Sequence, residues 1–126
     1  MGVKKNRAFM QEYVDAFSGK DKTAALIDKY VADEGLKEHI LLFEAAFPRY
    51  EVIVEEMLFE GDMVALRGLA RGRHEGNFMG LPPSGKEWEI TMMVFYRVVD
   101  SKIVGFWVNA DQLSLMQQLG AIPAPA

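Results

Sequence analysis

In the first 47 residues, apolar side chains recur every three or four positions, the spacing that places them on one face of an α-helix. This pattern predicts three helices, over residues 6–17, about 21–31 with Asp21 as N-cap, and about 34–47. Pro48 ends the third helix because proline disfavours the helical conformation in the residue before it. The apolar faces comprise Phe9, Tyr13, Val14 and Phe17, then Leu26, Ile27, Tyr30 and Val31, and finally Leu36, Ile40, Phe43 and Phe47.

From Glu51 onward the period of the apolar positions changes to two, which is typical of β-strands. Turn residues at Gly61-Asp62 and Asp100-Ser101 separate the strands, and Gly120 ends a short last helix. Helices followed by strands indicate an α+β fold in one domain, residues 1–122, with a flexible tail over 123–126. The predicted strands are 52–59, 63–74, 88–99 and 102–109, and the predicted last helix is 112–119.

The second strand has one small, apolar face and one arginine-rich face, because side chains alternate across a strand. Small inward residues leave room for helix side chains or for a ligand. The arginines are expected to pair with glutamates of the preceding strand and to form a solvated face or a subunit interface. The first face carries Val64, Leu66, Gly68, Ala70, Gly72 and His74; the charged residues are Arg67, Arg71 and Arg73 opposite Glu51, Glu55 and Glu56.

The segment HEGNFMGLPPSGK, residues 74–86, is predicted to be a loop between two strands. Pro82 and Pro83 lack a backbone donor, so no strand ladder can run through them. Phe78 and Met79 are bulky apolar residues in this irregular segment. Such side chains usually mark a contact, and we expect them to cover a cavity or to face a neighbouring subunit.

Composition narrows the classes of function. A length of 126 residues suits one domain with a real core, and a net charge of −4 offers no basic excess for nucleic acid. The absence of cysteine excludes thiol catalysis, and two histidines cannot build a His-rich metal site. No metal and no cofactor are implied. The chain has no apolar run of about 20 residues and no signal-peptide core, so we expect a cytoplasmic protein without a membrane partner.

Asp111 is the first candidate for chemistry, because it lies between the last strand and the last helix amid Trp107, Val108 and Leu113. A carboxylate in apolar surroundings becomes a useful base near neutral pH. Aspartate is also a favoured N-cap residue, and the two roles are compatible. The sequence leaves both open.

His74 is the second candidate, because it ends the second strand on the small apolar face. It could donate to a carbonyl or enolate oxygen, or it could hydrogen-bond the loop backbone. His39 lies on the third helix, and the sequence shows no partner for it.

Three segments carry a resemblance to a known family: GNFMGLPPSGK with the strand after it, YRVVDSKIVGFW, and NADQLSLMQQLGA. They resemble the SnoaL-like polyketide cyclase branch of the NTF2-like superfamily, and the similarity covers roughly residues 24–122. The resemblance implies a cone of three N-terminal helices on a strongly bent, mostly antiparallel sheet that encloses an apolar pocket. It also implies a homodimer packed through the sheets.

In the resembled cyclases, an aspartate at the place of Asp111 is the base that removes a proton next to carbonyls before an intramolecular aldol addition. Relatives commonly carry Glu-His-Trp where this chain has Gly105-Phe106-Trp107, and phenylalanine cannot transfer a proton. Asn109, Tyr96 and Arg97 are possible substitutes, although Tyr96 and Arg97 alternate and only one can face the pocket. The predicted substrate-binding residues are Asn109, Trp107, Phe106, Tyr96, Phe78 and Met79.

Three functional hypotheses follow. The first is a cofactor-independent enzyme on a small, hydrophobic, polyketide-like carbonyl compound, with Asp111 as base and His74 and Asn109 orienting the oxygen. The second is a non-catalytic module that binds an apolar metabolite or serves as a dimeric interaction domain. The third is an isomerase or epoxide hydrolase on the same fold. Whether Asp111 points into a cavity or caps the final helix distinguishes the first two.

Overall fold

The computed structural model describes residues 2–123, which form four helices and one four-stranded sheet. This order of elements confirms the predicted α+β class, and the bounds lie within three residues of those expected. Of the predicted tail, residues 124–126 lie outside the described residues. The elements are α1 Val3–Phe17, α2 Ala24–Tyr30, α3 Glu34–Ala46, β1 Glu51–Glu60, β2 Met63–Arg73, β3 Glu87–Val99, β4 Lys102–Ala110 and α4 Gln112–Gln118.

The cap of α2 differs from the prediction. Thr23 is the N-cap, and its hydroxyl accepts from the Leu26 N–H at 3.2 Å. The expected cap, Asp21, instead lies 3.4 Å from the Arg49 guanidinium. Aspartate and threonine both carry a side-chain oxygen that suits an N-cap. Because α2 begins at Ala24, the residue in the N-cap position is Thr23. None of the described helices is long and apolar enough to cross a membrane.

The sheet is an antiparallel meander in the order β1-β2-β3-β4. Asp100 and Ser101 both have positive φ, 50° and 58°, which suits the tight two-residue hairpin between β3 and β4. A bulge in β1 between Val54 and Glu56 lies beside Gly68 of β2. A Cβ at Gly68 would lie 2.1 Å from the Ile53 carbonyl oxygen, so only glycine allows the two strands to approach there.

The two faces of the sheet follow the predicted alternation. The inner residues of β2 pack against the helices, whereas its arginines lie on the outer face. Arg67 lies 2.9 Å from Glu55 and Arg71 lies 2.7 Å from Glu51, which confirms two of the expected pairs. The third arginine, Arg73, is nearest Glu87 of β3, at 3.7 Å.

The apolar interior consists of two clusters. The first joins α1, α2 and the start of α3 to β2, β3 and β4. The second joins the end of α3, the loop 74–86 and α4 to the other end of the sheet. The first cluster is Phe9, Met10, Tyr13, Phe17, Ile27, Tyr30, Val31, Leu36, Ile40, Val64, Leu66, Val94, Tyr96, Val98 and Ile103. The second is Phe43, Ala46, Phe47, Tyr50, Ala70, Phe78, Trp88, Ile90, Leu115 and Leu119.

The loop 74–86 is docked on the end of α3. The backbone N–H groups of Glu75 and Gly76 both donate to the Ala46 carbonyl oxygen, at 3.0 and 2.9 Å. These bonds satisfy a carbonyl that the helix end leaves without a partner. A Cβ at Gly76 would lie 2.0 Å from the Ala45 carbonyl oxygen, so glycine is required for this approach.

Candidate functional site

A cavity of about 220 Å³ lies where the two apolar clusters meet. Ligand pockets usually measure about 300–1,000 Å³, so this cavity suits a compact molecule. Its exposed lining residues are at the end of β4 and the start of α4, which places its opening there. The lining is Tyr13, Leu36, His39, Ile40, Phe43, Tyr50, Val52, Ala70, Ile90, Met92, Val94, Tyr96, Phe106, Val108, Asn109, Ala110 and Gln112.

Three tyrosines line this apolar cavity: Tyr13 from α1, Tyr50 before β1 and Tyr96 from β3. Burial raises the pKa of Tyr96 to about 12, and it raises the pKa values of Tyr13 and Tyr50 above their ordinary range. The phenols therefore stay protonated at neutral pH. They can donate hydrogen bonds to a carbonyl or enolate oxygen, but they are poor bases.

His39 is a lining residue to which the sequence pattern assigned no role. Its ring stacks on Phe43 at 4.7 Å between centroids and lies 5.7 Å from the Phe106 ring of β4. Burial lowers the pKa of His39 below its ordinary value, so the ring is neutral at pH 7. A sequence signal existed, since His39 lies three residues after Leu36 and four before Phe43, on the apolar face of α3.

Asp111 is the N-cap of α4. Its Oδ1 accepts from the Ser114 N–H at 3.0 Å, and its own N–H donates to the Thr91 carbonyl at 3.1 Å. The side chain is exposed. Asp111 is not among the residues that line the cavity, although its chain neighbours Ala110 and Gln112 are.

His74 lies away from the cavity lining and holds the loop 74–86. Only 1% of it is exposed, and its Nδ1 lies 2.9 Å from the Ser84 hydroxyl and accepts from the Ser84 N–H at 3.3 Å. Because a backbone N–H can only donate, Nδ1 is an acceptor and the neutral ring carries its proton on Nε2. Nε2 has no hydrogen-bond partner among the described residues. Its neighbours match the interpretation of His74 as a histidine bonded to the loop backbone.

The predicted substrate-binding residues are divided among three places. Tyr96 and Phe106 are register partners and line the cavity. Phe78 is buried in the second cluster, 5.0 Å from the Phe47 ring, and Met79 is 71% exposed on the loop.

The remaining two, Trp107 and Asn109, are register partners of Phe95 and Met93, and opposed residues share a face. Both therefore extend from the outer face, although Asn109 also borders the cavity opening. Alternation puts Phe106 and Trp107 on opposite faces, and the pairing of residues 105–110 with residues 92–97 decides which of the two faces is the inner one.

A larger open groove, of about 750 Å³, lies beside the outer face of the sheet. Its charged residues are paired: Arg71 with Glu51 and Glu89, Arg73 with Glu87, and Arg49 with Asp21 outside the groove. Exposed pairs of this kind satisfy each other and leave little unmatched charge for a ligand. Within residues 2–123, no group of three or more His, Asp and Glu side chains is arranged to hold a metal ion.

Comparisons with known proteins agree with this architecture. The structure of AclR, a candidate hydroxylase from Streptomyces galilaeus, has a TM-score of 0.83 at 24% identity and covers 98% of this chain and 86% of its own. IdmH, a candidate polyketide cyclase from Streptomyces antibioticus, has a TM-score of 0.72 at 27% identity, over 90% of this chain and 97% of its own. No protein with a curated description matches. A model of the SnoaL-like polyketide cyclase family matches residues 9–119, and the chain belongs to that family.

Proposed function

We propose that the protein is a cofactor-independent enzyme that removes a proton next to a carbonyl group of a compact hydrophobic substrate and closes a ring. The observation that carries this proposal is the apolar cavity with three protonated phenols in its wall. Apolar walls favour a folded conformation of a flexible substrate. The two reacting carbons are then held close together, which lowers the entropic part of the barrier to ring closure. The phenols hold the carbonyl oxygens by hydrogen bonds that strengthen as negative charge develops.

In this proposal Asp111 is the base. It is exposed and lies in the chain between Ala110 and Gln112, which line the cavity, so the proposal requires a substrate that extends out of the opening to reach it. Its Oδ2 accepts no hydrogen bond from the described residues. The α-carbon proton passes to Asp111, and the electron pair enters the enolate. The enolate carbon attacks a second carbonyl of the same molecule, and the proton returns through water to the new alkoxide. The reaction is an isomerisation and needs no co-reactant.

Asp111→Asn is expected to lower proton exchange by at least about 100-fold without unfolding the protein, since general bases contribute about 10²–10⁴-fold. Asparagine caps a helix as well as aspartate does, so the α4 cap is kept. The measurement is deuterium incorporation from D₂O into 2-tetralone, a compact aromatic ketone, followed by proton NMR above the buffer rate. Circular dichroism checks the fold.

Asp100→Asn is the matched control. Asp100 is exposed in the hairpin between β3 and β4, and asparagine tolerates its positive φ of 50°. This variant is expected to exchange 2-tetralone at the wild-type rate. Wild-type exchange in Asp111→Asn would remove the carboxylate from the mechanism.

A non-catalytic binding module is the second candidate, favoured by the exposed, helix-capping position of Asp111. The same cavity would then hold an apolar metabolite without chemistry. Fluorescence titration with 2-naphthol, a flat enol analogue, separates the candidates when it is paired with the exchange assay. Binding of 2-naphthol without exchange of 2-tetralone would favour the module.

We also propose that the outer face of the sheet is covered by a second copy of the chain. One row of opposed residues, Leu58, Ala65, Phe95 and Trp107, crosses all four strands. Leu58, Phe95 and Trp107 are each more than half exposed. A broad apolar strip of this kind usually marks an interface, and a twofold axis through it would place the same strip on both sides.

Phe95→Lys is expected to convert a dimer into a monomer, because it places a charge in the middle of the strip. Light scattering after size-exclusion chromatography measures the mass. Leu42→Lys is the control, since Leu42 is 49% exposed on α3 and lies outside the strip. A monomeric wild-type protein, or a Phe95→Lys variant with unchanged mass, would contradict the proposed dimer.

A further inference from the structure

Among the described side chains that line the cavity, His39 is the one whose ordinary pKa lies near neutral pH. The others are apolar groups, amides and phenols. We propose that His39 is a catalytic residue that donates a hydrogen bond from its neutral imidazole to the carbonyl oxygen where the enolate charge develops. This inference rests on the proposed function and adds to it the group that stabilises the enolate inside the cavity.

The position of the ring supports this role. Two aromatic side chains hold it, Phe43 one turn later on α3 and Phe106 on β4, at 4.7 and 5.7 Å between centroids. The contacts therefore come from both layers of the fold, helix and sheet. They fix the direction of the ring, and a fixed donor does not have to reorient during the reaction.

Within residues 2–123, the His39 ring nitrogens have no hydrogen-bond partner in the protein. No described side chain donates to His39 or accepts from it, and burial alone accounts for its lowered pKa. A neutral imidazole has one N–H donor and one acceptor nitrogen. An N–H donor without a partner in a partly buried apolar wall costs free energy, so a hydrogen bond to a ligand oxygen is favourable there.

Tyr96 provides a second donor close by. It lines the same cavity as His39 and is the register partner of Phe106, whose ring contacts the imidazole. A neutral donor is suited to this chemistry because it polarises a carbonyl without neutralising the carboxylate base. The proton transfers of the proposed reaction are unchanged. The α-carbon proton moves to Asp111, and the His39 proton stays on its nitrogen throughout.

The experiment compares two substitutions of His39 that differ in one property. Glutamine keeps an N–H donor and leucine has none, and neither side chain can act as a base near neutral pH. In the 2-tetralone exchange assay, His39→Leu is expected to lose about 100-fold or more, the usual effect of removing one such donor. His39→Gln is expected to stay within about tenfold of the wild type. Glu38→Gln, an exposed neighbour on α3, is the control and should match the wild type.

Each outcome has one meaning. Equal large losses in His39→Leu and His39→Gln, with 2-naphthol still bound, would overturn the donor role and indicate proton transfer by the imidazole. Wild-type exchange in both variants would also overturn it and leave the proposed function intact. If the wild-type protein itself exchanges no 2-tetralone, the proposed function fails first and the role of His39 fails with it.

Discussion

Replacing Phe47 by alanine is expected to lower the free energy of unfolding by about 3–5 kcal/mol. The side chain has no exposed area, and its ring lies between 4.8 and 5.7 Å from four others: Phe43, His74, Phe78 and Trp88. It thus joins the end of α3 to the loop 74–86 and to β3. Alanine would leave a cavity that these rings cannot fill without breaking the docking of the loop.

Urea unfolding followed by fluorescence measures this loss. Leu42→Ala is the control, because Leu42 lies on the same helix with 49% of its area exposed. Surface substitutions usually change stability by no more than about 0.5 kcal/mol. A loss below about 1 kcal/mol in Phe47→Ala would mean that the second cluster does not hold the loop in place.

Lys22→Ala is expected to cost about 3 kcal/mol, the lower end of the range for breaking a buried ion pair. Only 3% of Lys22 is exposed, and its ammonium donates to the Tyr50 carbonyl at 2.8 Å, the Lys20 carbonyl at 3.0 Å and Glu44 at 3.2 Å. Burial lowers the pKa of Lys22, while the Glu44 carboxylate opposes that shift. Removing the ammonium leaves three oxygens in a region that water reaches poorly.

The same urea experiment measures this variant, with Lys5→Ala, on the exposed side of α1, as control. A double variant, Lys22→Met with Glu44→Leu, tests the cause of the loss. It should recover part of the stability, because replacing both partners by apolar groups removes the unpaired carboxylate. A double variant as unstable as Lys22→Ala would place the loss in local packing.

The periodicity of the sequence was sufficient for the layers of the fold. The alternation in β2 placed Val64, Leu66 and Ala70 on the inner face, where the structure has them buried. It placed Arg67 and Arg71 opposite glutamates of β1, and the structure has these pairs. Periods of two and 3.6 residues can be read within one element, without knowledge of its partners. They identify the face that is buried, because the apolar residues collect on the side from which water is excluded.

The candidate site was less predictable. Phe106 and Tyr96 were expected at the cavity and line it, and Asn109 borders its opening, whereas Trp107 extends from the outer face. The inner face of β4 is decided by its register with β3, which is a property of two strands together, and one strand's sequence does not reveal it. The sequence left Asp111 open as base or cap, and in the structure it caps α4 with an exposed side chain.

The sequence by itself determined the class of fold, the order of elements and the family, because these depend on local periodicity, turn residues and motifs. Only the tertiary structure decided the partners of His39 and Lys22. Phe106 lies 67 positions after His39, and Glu44 lies 22 positions after Lys22. Such contacts form only when the helices pack on the sheet. Burial then sets their chemistry, because it lowers the pKa values of both the His39 imidazole in the cavity wall and the Lys22 ammonium beside Glu44.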